Sequence, residues 1–476
     1  MYTVARGVLP IFVKSYYCRK CKTRYAPNYK VQNASKADAK RVFHNEIPDI
    51  LEVEDTTFVE VKLINMFREM MVTLHASATG ITQWYNDSLA TPATQVPNNF
   101  RYHQTLDMQT VYEAFFLHAV LLDAYNCHEP LELPHAGPQR DRLVAALDSR
   151  NKRMIGTGQE FWAHRCKKCM HLIQGPDGKI YAVDAGVMDG TTMGHTCCSV
   201  NASEAGICRI DLLTPKDRFC PQHSDRKDKC FVKECQLPPE KKDKSLACST
   251  PAHRERELEL RRRTHKGMRE LVSRYLSTII GRLNRKWTHN EQLFVRPCSI
   301  IVSRCTFYHA EGLESCNDFL KVTFPTSQYP SCLPSYIFYD NNCQMLRHLW
   351  KQRDPYYNKT GMVVEMWHVQ SHKETDEFCR RWCLPSRFPE LMMDDGKGGK
   401  KWRFNASAAE QANSWFGGYH PIVREMSRAR YTFYLDEMIA MRNRVVVAKL
   451  EDQGQAPVLA PELVLRAPVQ LIQPLT

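Results

Sequence analysis

Between Cys198 and His253 the chain gathers two sets of three cysteines and one histidine. The first is Cys198, Cys208, Cys220 and His223; the second is Cys230, Cys235, Cys248 and His253. Thiolate and imidazole are the ligands of tetrahedral Zn²⁺, and four per ion make a closed structural site with no open position for chemistry. Eight ligands suit two zinc ions. The spacing leaves sequential and cross-braced pairing both open, and Cys197 is an alternative to Cys198. The residues between are polar, with Lys, Asp and Pro and no apolar periodicity, so folding there is expected to require metal. A second signal is split. Cys18 and Cys21 in "YYCRKCKTRY" match Cys166 and Cys169 in "HRCKKCMHL", and together they are expected to form a four-cysteine zinc ribbon around a long insertion. A third group is His368, His372, Cys379 and Cys383 in "WHVQSHKETDEFCRRWC". Its i, i+4 pairs share helix faces, which suits a metal and equally a buried helix.

A different chemistry is offered by carboxylates. "GKIYAVDAGVMDG" is a strand pattern ending at Asp189, with Asp184 a rival on the same strand, and "PSYIFYDNNC" is a buried strand halting at Asp340. "NASAAEQANSWFGGYHPIVREM" begins with an Asn or Ser cap and continues as a helix carrying Glu410. Carboxylates brought to one point repel unless cations compensate, and hard oxygen ligands suit Mg²⁺ or Mn²⁺. Two such ions can activate a nucleophile and steady the leaving oxygen of a phosphodiester.

The elements that would position these groups follow from periodicity. "TTMGHTCC" reads as a second strand pairing back on the first, with the zinc cluster interrupting the sheet after it. "CSIIVSRCTFY" and "MVVEMWH" read as further strands, and "GLESCNDFLKVTF" as an amphipathic helix. This order of strands and helices is that of a ribonuclease-H-like fold. Upstream, Phe58, Leu63, Phe67, Met70 and Leu74 recur at helical spacing, and "TLDMQTVYEAFFLHAVLLDAYNC" and "QRDRLVAALDSRNKRMI" repeat the pattern. The fold class expected is therefore α/β (α+β), a mixed sheet with an inserted cysteine cluster, preceded by a helical domain inserted in the zinc ribbon. In residues, the ribbon and its insertion occupy 1–175 and the ribonuclease-H-like domain 176–450, with the two-zinc cluster at 197–256 inserted in it. A basic amphipathic helix follows at 257–290, and a Pro-rich loose tail at 451–476.

Hydrophobic residues at 43% and charged residues at 25% are ordinary for a globular chain of 476 residues, long enough for two or three domains. No apolar run reaches a membrane span, so no membrane partner is expected. No secretory signal is visible at Met1, and an intracellular location follows. An odd total of 19 cysteines in a reducing compartment favours metal over disulfides. The net charge of +13 points to a polyanion such as DNA. From Arg254 to Lys286 there are eleven Lys/Arg against four Glu, with Leu271, Tyr275, Ile279 and Leu283 along the apolar side of one helix. Such a row can neutralise phosphates.

The strings "DGTTMGHTCC", "CSTPAHRERELE", "YDNNC", "WHVQSHKETDEFC", "WRFNASAAEQANSWFGGYHPIVREM" and "RYTFYLDEMIAMRNR" resemble fungal proteins with cysteine clusters associated with Kyakuja–Dileera–Zisupton (KDZ) transposases. The resemblance runs from "RGVLPIFVKSYYCRKCKTRY" to about Glu451. It implies a DDE-type core of ribonuclease-H-like fold, with Asp189, Asp340 and Glu410 as catalytic carboxylates. It further implies metal-dependent DNA cleavage and strand transfer, with transposon ends as the DNA partner; a nuclear location is expected, and the oligomeric state stays open, a homo-oligomer being one option. Structural zinc and catalytic Mg²⁺ or Mn²⁺ are the cofactors implied. Relatives are expected to extend upstream of Met1, and "DDGKGGKKWRF" is a longer passage into "WRFN" than the resemblance leads one to expect. The alternative is a domesticated zinc-dependent DNA-binding protein without catalysis.

Overall fold

The computed structural model describes residues 1–90, 100, 102, 104–175, 177–200, 208–232, 235–240, 245–262, 287–308, 311–365, 368, 376–457 and 465–466. Short strands open the chain: β1 (Tyr2–Thr3), β2 (Gly7–Val8), β3 (Tyr16–Cys18), β4 (Thr23–Tyr25), β5 (Tyr29–Gln32), β6 (Lys40–Phe43), β7 (Ile50–Glu54), β8 (Thr57–Glu60) and, after three helices, β9 (Glu132–Pro134). They form two sheets, ordered β2-β1-β8-β7 and β3-β4-β5-β6-β9. The first helical segment expected is split at His75–Ser77 into Val61–Leu74 and Ala78–Ser88; Met108–Asn126 follows, buried without a break from Glu113 to Leu121, and Val144–Arg153 comes after β9. Asp107 caps the third of them by accepting from the Thr110 amide at 2.7 Å, and Ser77 caps the second by accepting from Gly80 at 3.1 Å. Phe58, expected on the first helix, falls instead in β8.

The larger sheet lies downstream. β10 (Met170–Gln174) runs antiparallel to the long β11 (Ile180–Thr191), which also pairs antiparallel with β12 (Asn290–Val295); β12 pairs with β13 (Ile301–Phe307). β14 (Tyr336–Phe338) pairs parallel with β11, and β15 (Gly361–Val363) parallel with β14, giving the order β13-β12-β11-β14-β15. One expectation fails here. "TTMGHTCC" makes a single bridge, Thr196 to Trp287, beyond the end of β11, and the second strand is "NEQLFV" at β12, on the far side of the cysteine cluster. Gly186 is required in β11, because a Cβ there would lie 2.1 Å from the Phe294 ring on the neighbouring strand.

Alternation of side chains along these strands divides the core in two. Val183, Ala185 and Val187 of β11, Leu293 and Val295 of β12, Tyr336 and Phe338 of β14 and Val363 of β15 face one side. There they pack with the N-terminal helices and with the helices Ala408–Phe416 and Arg428–Asp452. Met188, Phe294, Ile337 and Met362 face the other, against the helices Leu313–Thr323 and Asn342–Gln352. One apolar cluster thus runs from Tyr2 to Met441. Glu437 ties its ends together, meeting Arg68 at 2.6 Å and Arg150 at 2.7 Å with all three side chains under 10% exposed. Most of the expected basic helix, including Leu271, Tyr275, Ile279 and Leu283, lies outside the described residues; its start is the helix Pro251–Arg262.

Candidate functional site

Carboxylates converge where β11, β14, β15 and helix 408–416 end or begin. Asp189 stands near the end of β11, accepting from the Gly190 amide and, through Oδ2, from Asn413 Nδ2 at 2.8 Å. Asn413 lies one turn beyond Glu410 on the same helix, which packs on β11 and β12. Asp340 follows β14 by two residues and Glu365 follows β15 by two, so parallel neighbours deliver their carboxylates to the same edge of the sheet. His368 Nδ1 lies 2.8 Å from Asp340 Oδ1 and 3.3 Å from Glu365 Oε2. Glu311 approaches from the loop before helix 313–323, accepting from the Tyr339 hydroxyl at 2.6 Å.

Among the described residues the site gathers negative charge, with His368 opposing it. Burial, then the charges of Glu410, Asp340 and Asp189, push Glu365 up to about 8. Burial also drives Asp340 up to about 6, with Asp189, Glu410 and Glu311 adding to it and His368 opposing. Asp189 is raised by burial and by the charges of Glu311 and Glu410. Glu365 is 2% exposed, and its Oε1 is buried without a hydrogen-bond partner. An oxygen-rich donor set in which Asp189, Asp340 and Glu365 are all raised by burial and by neighbouring carboxylates fits a hard divalent cation, which would oppose those shifts. Asp340, Glu365 and His368 place one ligand atom each within 4.8 Å of one another.

Asp184, the rival on β11, has a different environment. It is 3% exposed and accepts from Arg296 Nη1 at 3.2 Å, from the Ser335 amide at 2.8 Å and from its hydroxyl at 3.1 Å. Arg165 Nε lies 3.2 Å away. Its charge is compensated, and it holds strands together rather than joining the carboxylate cluster.

The thiols form two matching quartets. Cys198, Cys208, Cys220 and His223 make one group, and Cys230, Cys235, Cys248 and His253 the other, so the pairing is sequential and Cys198, not Cys197, takes part. In each, the first Cys Sγ lies 3.6 Å from the His Nδ1 and the second and third Sγ atoms lie 3.7 Å apart. In each, too, the third Cys amide donates to the first Sγ at 3.4 Å. A tetrahedron with Zn–S and Zn–N bonds of ordinary length has edges of about 3.8 Å between sulfurs and about 3.6 Å from sulfur to nitrogen. Both quartets can therefore hold zinc.

The split ribbon is not what the structure builds. Cys18 and Cys21 lie on the β3–β4 hairpin, half-buried and exposed, while Cys166 and Cys169 are buried beside His164 and Cys298. A matching local spacing said nothing of which half-site was near. His372 lies outside the described residues, and no ligand group within 4.8 Å contains His368 together with Cys379 or Cys383 among the described residues. His368 turns to the carboxylates instead, and Cys379 and Cys383 sit buried near Cys343. Sequence reasoning missed Glu365, His164 and Cys298. For Glu365 a signal existed, an acidic residue closing the apolar strand "MVVE" as Asp340 closes its neighbour.

Comparison with known families bears on two parts of the chain. Residues 1–89 match the family described as CxC5 like cysteine cluster associated with KDZ transposases, and residues 187–259 match CxC6 like cysteine cluster associated with KDZ transposases. Both matched segments are cysteine clusters of the kind associated with KDZ transposases, which supports the resemblance to KDZ transposase-like proteins. The KDZ-associated segment 187–259 holds both zinc-capable quartets and begins two residues before Asp189. The other KDZ-associated segment contains Cys18 and Cys21. No curated protein matches the chain, and no solved structure does. No helix among the described residues is long and apolar enough to cross a membrane.

Proposed function

We propose that the protein is a DDE transposase-like enzyme that binds DNA and cleaves and joins phosphodiester bonds with Mg²⁺ or Mn²⁺, using Asp189, Asp340 and Glu410. The carrying observation is that the charge of Glu410 reaches Asp189, Asp340 and Glu365 and helps to raise all three, with Asn413 linking the Glu410 helix to Asp189. Three antiparallel strands flanked by two parallel ones, β13-β12-β11-β14-β15, with Asp189 on the central strand and Asp340 after its parallel neighbour, support a ribonuclease-H-like reading of the core. The compensated state of Asp184 favours Asp189 as the first carboxylate. The two KDZ-associated clusters favour transposon ends as the DNA.

In this reading each residue has a task. Asp189 and Asp340 present oxygens from adjacent parallel strands, and Glu410 closes the site from the helix. Asn413 orients Asp189 by donating to Oδ2, while the Gly190 amide donates to Oδ1. His368, against Asp340, orients that carboxylate. Divalent cations held by Asp189, Asp340 and Glu410 would activate a water or the DNA's own 3′-hydroxyl and stabilise charge at the leaving oxygen. The zinc-capable quartets order the inserted segment, and the net charge of +13 favours a phosphate backbone.

A nicking assay on DNA carrying transposon ends tests this. Wild type should cleave only with Mg²⁺ or Mn²⁺, and Asp340→Asn and Glu410→Gln should each lose at least a hundredfold, the order expected when charge stabilisation at a reacting centre is removed, roughly 10²–10³. Cleavage by Asp340→Asn at the wild-type rate rejects the proposal and leaves a DNA-binding protein.

A further inference from the structure

His164, Cys166, Cys169 and Cys298 place their ligand atoms within 4.8 Å of one another, and all four are buried. None lies in the two family-matched segments, which end at residue 89 and span 187–259. We propose that these four side chains bind one zinc ion in a closed site that fastens the turn between β12 and β13 to the segment entering β10.

Local backbone geometry prepares the site. Cys166 and Cys169 form a tight turn in which the Cys169 and Met170 amides donate to the Cys166 carbonyl at 3.0 and 2.9 Å. The Cys166 amide donates to the Cys169 sulfur at 3.1 Å. The two sulfurs lie 3.7 Å apart, too far for a disulfide and the same separation as in both downstream quartets. It is close to the tetrahedral edge of about 3.8 Å that Zn–S bonds impose. His164 adds a second indication: its side chain is 7% exposed, and Nε2 is buried with no hydrogen-bond partner. A buried polar atom left so is costly unless something satisfies it.

Charge balance points the same way. Arg296, two residues before Cys298, is 1% exposed and shares Asp184 with Arg165. Two guanidinium groups against one carboxylate leave a positive charge in a buried place, with Cys169 and Cys298 close enough to act on Arg296. Zn²⁺ with three thiolates and a neutral imidazole carries a single negative charge. It would neutralise that surplus, whereas three neutral thiols would leave it standing. Because Met170 pairs with Asp184 in the β10–β11 ladder, the ion would brace the half of β11 away from Asp189.

Zinc content of full-length protein, by mass spectrometry of the metal, tests the site. Cys298→Ser should carry one zinc fewer than wild type. His164→Cys, which keeps a ligand, should match wild type, as should Cys305→Ser on the same hairpin. Cys298→Ser with the full wild-type content overturns the proposal. Should that variant fail to fold, alkylation of native wild type mapped by cysteine gives the answer. A chelator should expose Cys166, Cys169 and Cys298 while Cys316, buried outside every ligand group, stays protected. Labelling of Cys298 that chelation does not change overturns it equally.

Discussion

Two aspartates five residues apart on β11 should answer the same substitution in opposite ways. Asp184→Asn keeps an oxygen for the Ser335 amide and hydroxyl, 2.8 and 3.1 Å away, but removes the charge that compensates Arg296. Neutralising one partner of a buried pair costs about 3–5 kcal/mol. Arg165 is 18% exposed and can turn partly to water, so the lower end, about 3 kcal/mol, is expected. At about 2–4 °C per kcal/mol for a domain of this size, the melting temperature should fall by roughly 6–12 °C. Asp189→Asn also keeps an acceptor, here for Asn413. Its carboxyl, however, is raised in the folded state by burial and by Glu311 and Glu410. A raised carboxylate pKa means that the folded chain holds its proton more tightly than the unfolded one. Ionisation therefore costs stability as pH rises through that window, and the neutral amide avoids the cost. Melting should be unchanged or higher. Thermal unfolding of both variants, with and without Mn²⁺, is the assay. Added Mn²⁺ should raise the wild-type midpoint by mass action, and Asp189→Asn should gain less. Wild-type melting of Asp184→Asn, or a fall in Asp189→Asn as large as that of Asp184→Asn, would refute the reasoning.

Three further outcomes follow from buried charge and metal. His118, 1% exposed, is held down to about 3 by burial and then by the Arg68 charge. Its stabilising neutral form is fully effective above about pH 6.5 and is lost as pH falls toward 3; between pH 7 and 5.5 the loss is about 1 kcal/mol. Urea unfolding of His118→Leu should lack that increment, and equal losses in both proteins would contradict it. Glu437→Gln leaves Arg68 and Arg150 facing each other without an anion, which should cost about 3–5 kcal/mol by urea unfolding; a loss below about 1 kcal/mol would count against the bridge. Cys220→Ser and Cys248→Ser should each release one zinc and open residues 198–253 to limited proteolysis, because among the described residues the apolar cluster there is small, Phe231, Val232, Ala247 and Leu246 with the cysteines. Resistance equal to wild type would show that the metal is dispensable there.

Much of the catalytic-looking site could be read from local pattern. Buried β-strands announce themselves as short apolar runs, and Asp189 and Asp340 stand where such runs stop. The helix carrying Glu410 is marked by its polar Asn or Ser start, and Ser407 stands at the N-cap without a side-chain capping bond. The two Cys/His quartets were legible because their ligands are close in sequence, though the sequential pairing was not. Long-range partnership was illegible. Cys166 and Cys169 have the same spacing as Cys18 and Cys21, yet their partners are His164 beside them and Cys298 more than a hundred residues on. That choice depends on where the β12–β13 turn lands. β12 was overlooked because "NEQLFV" opens with three polar residues, all buried by pairing between β11 and β13 and by contacts such as Tyr431 to Glu291. The N-terminal strands, mostly two to four residues long, offered too little alternation to separate from loop.

The central claim is that acidic groups far apart in sequence share one cation site, and anomalous diffraction from crystals soaked in Mn²⁺ tests it most directly. Manganese should appear among the carboxylates of Asp189, Asp340 and Glu410, with Glu365 or His368 within ligand reach, and should vanish in Asp340→Asn. Manganese absent from that cluster, or bound equally in the variant, would contradict the account.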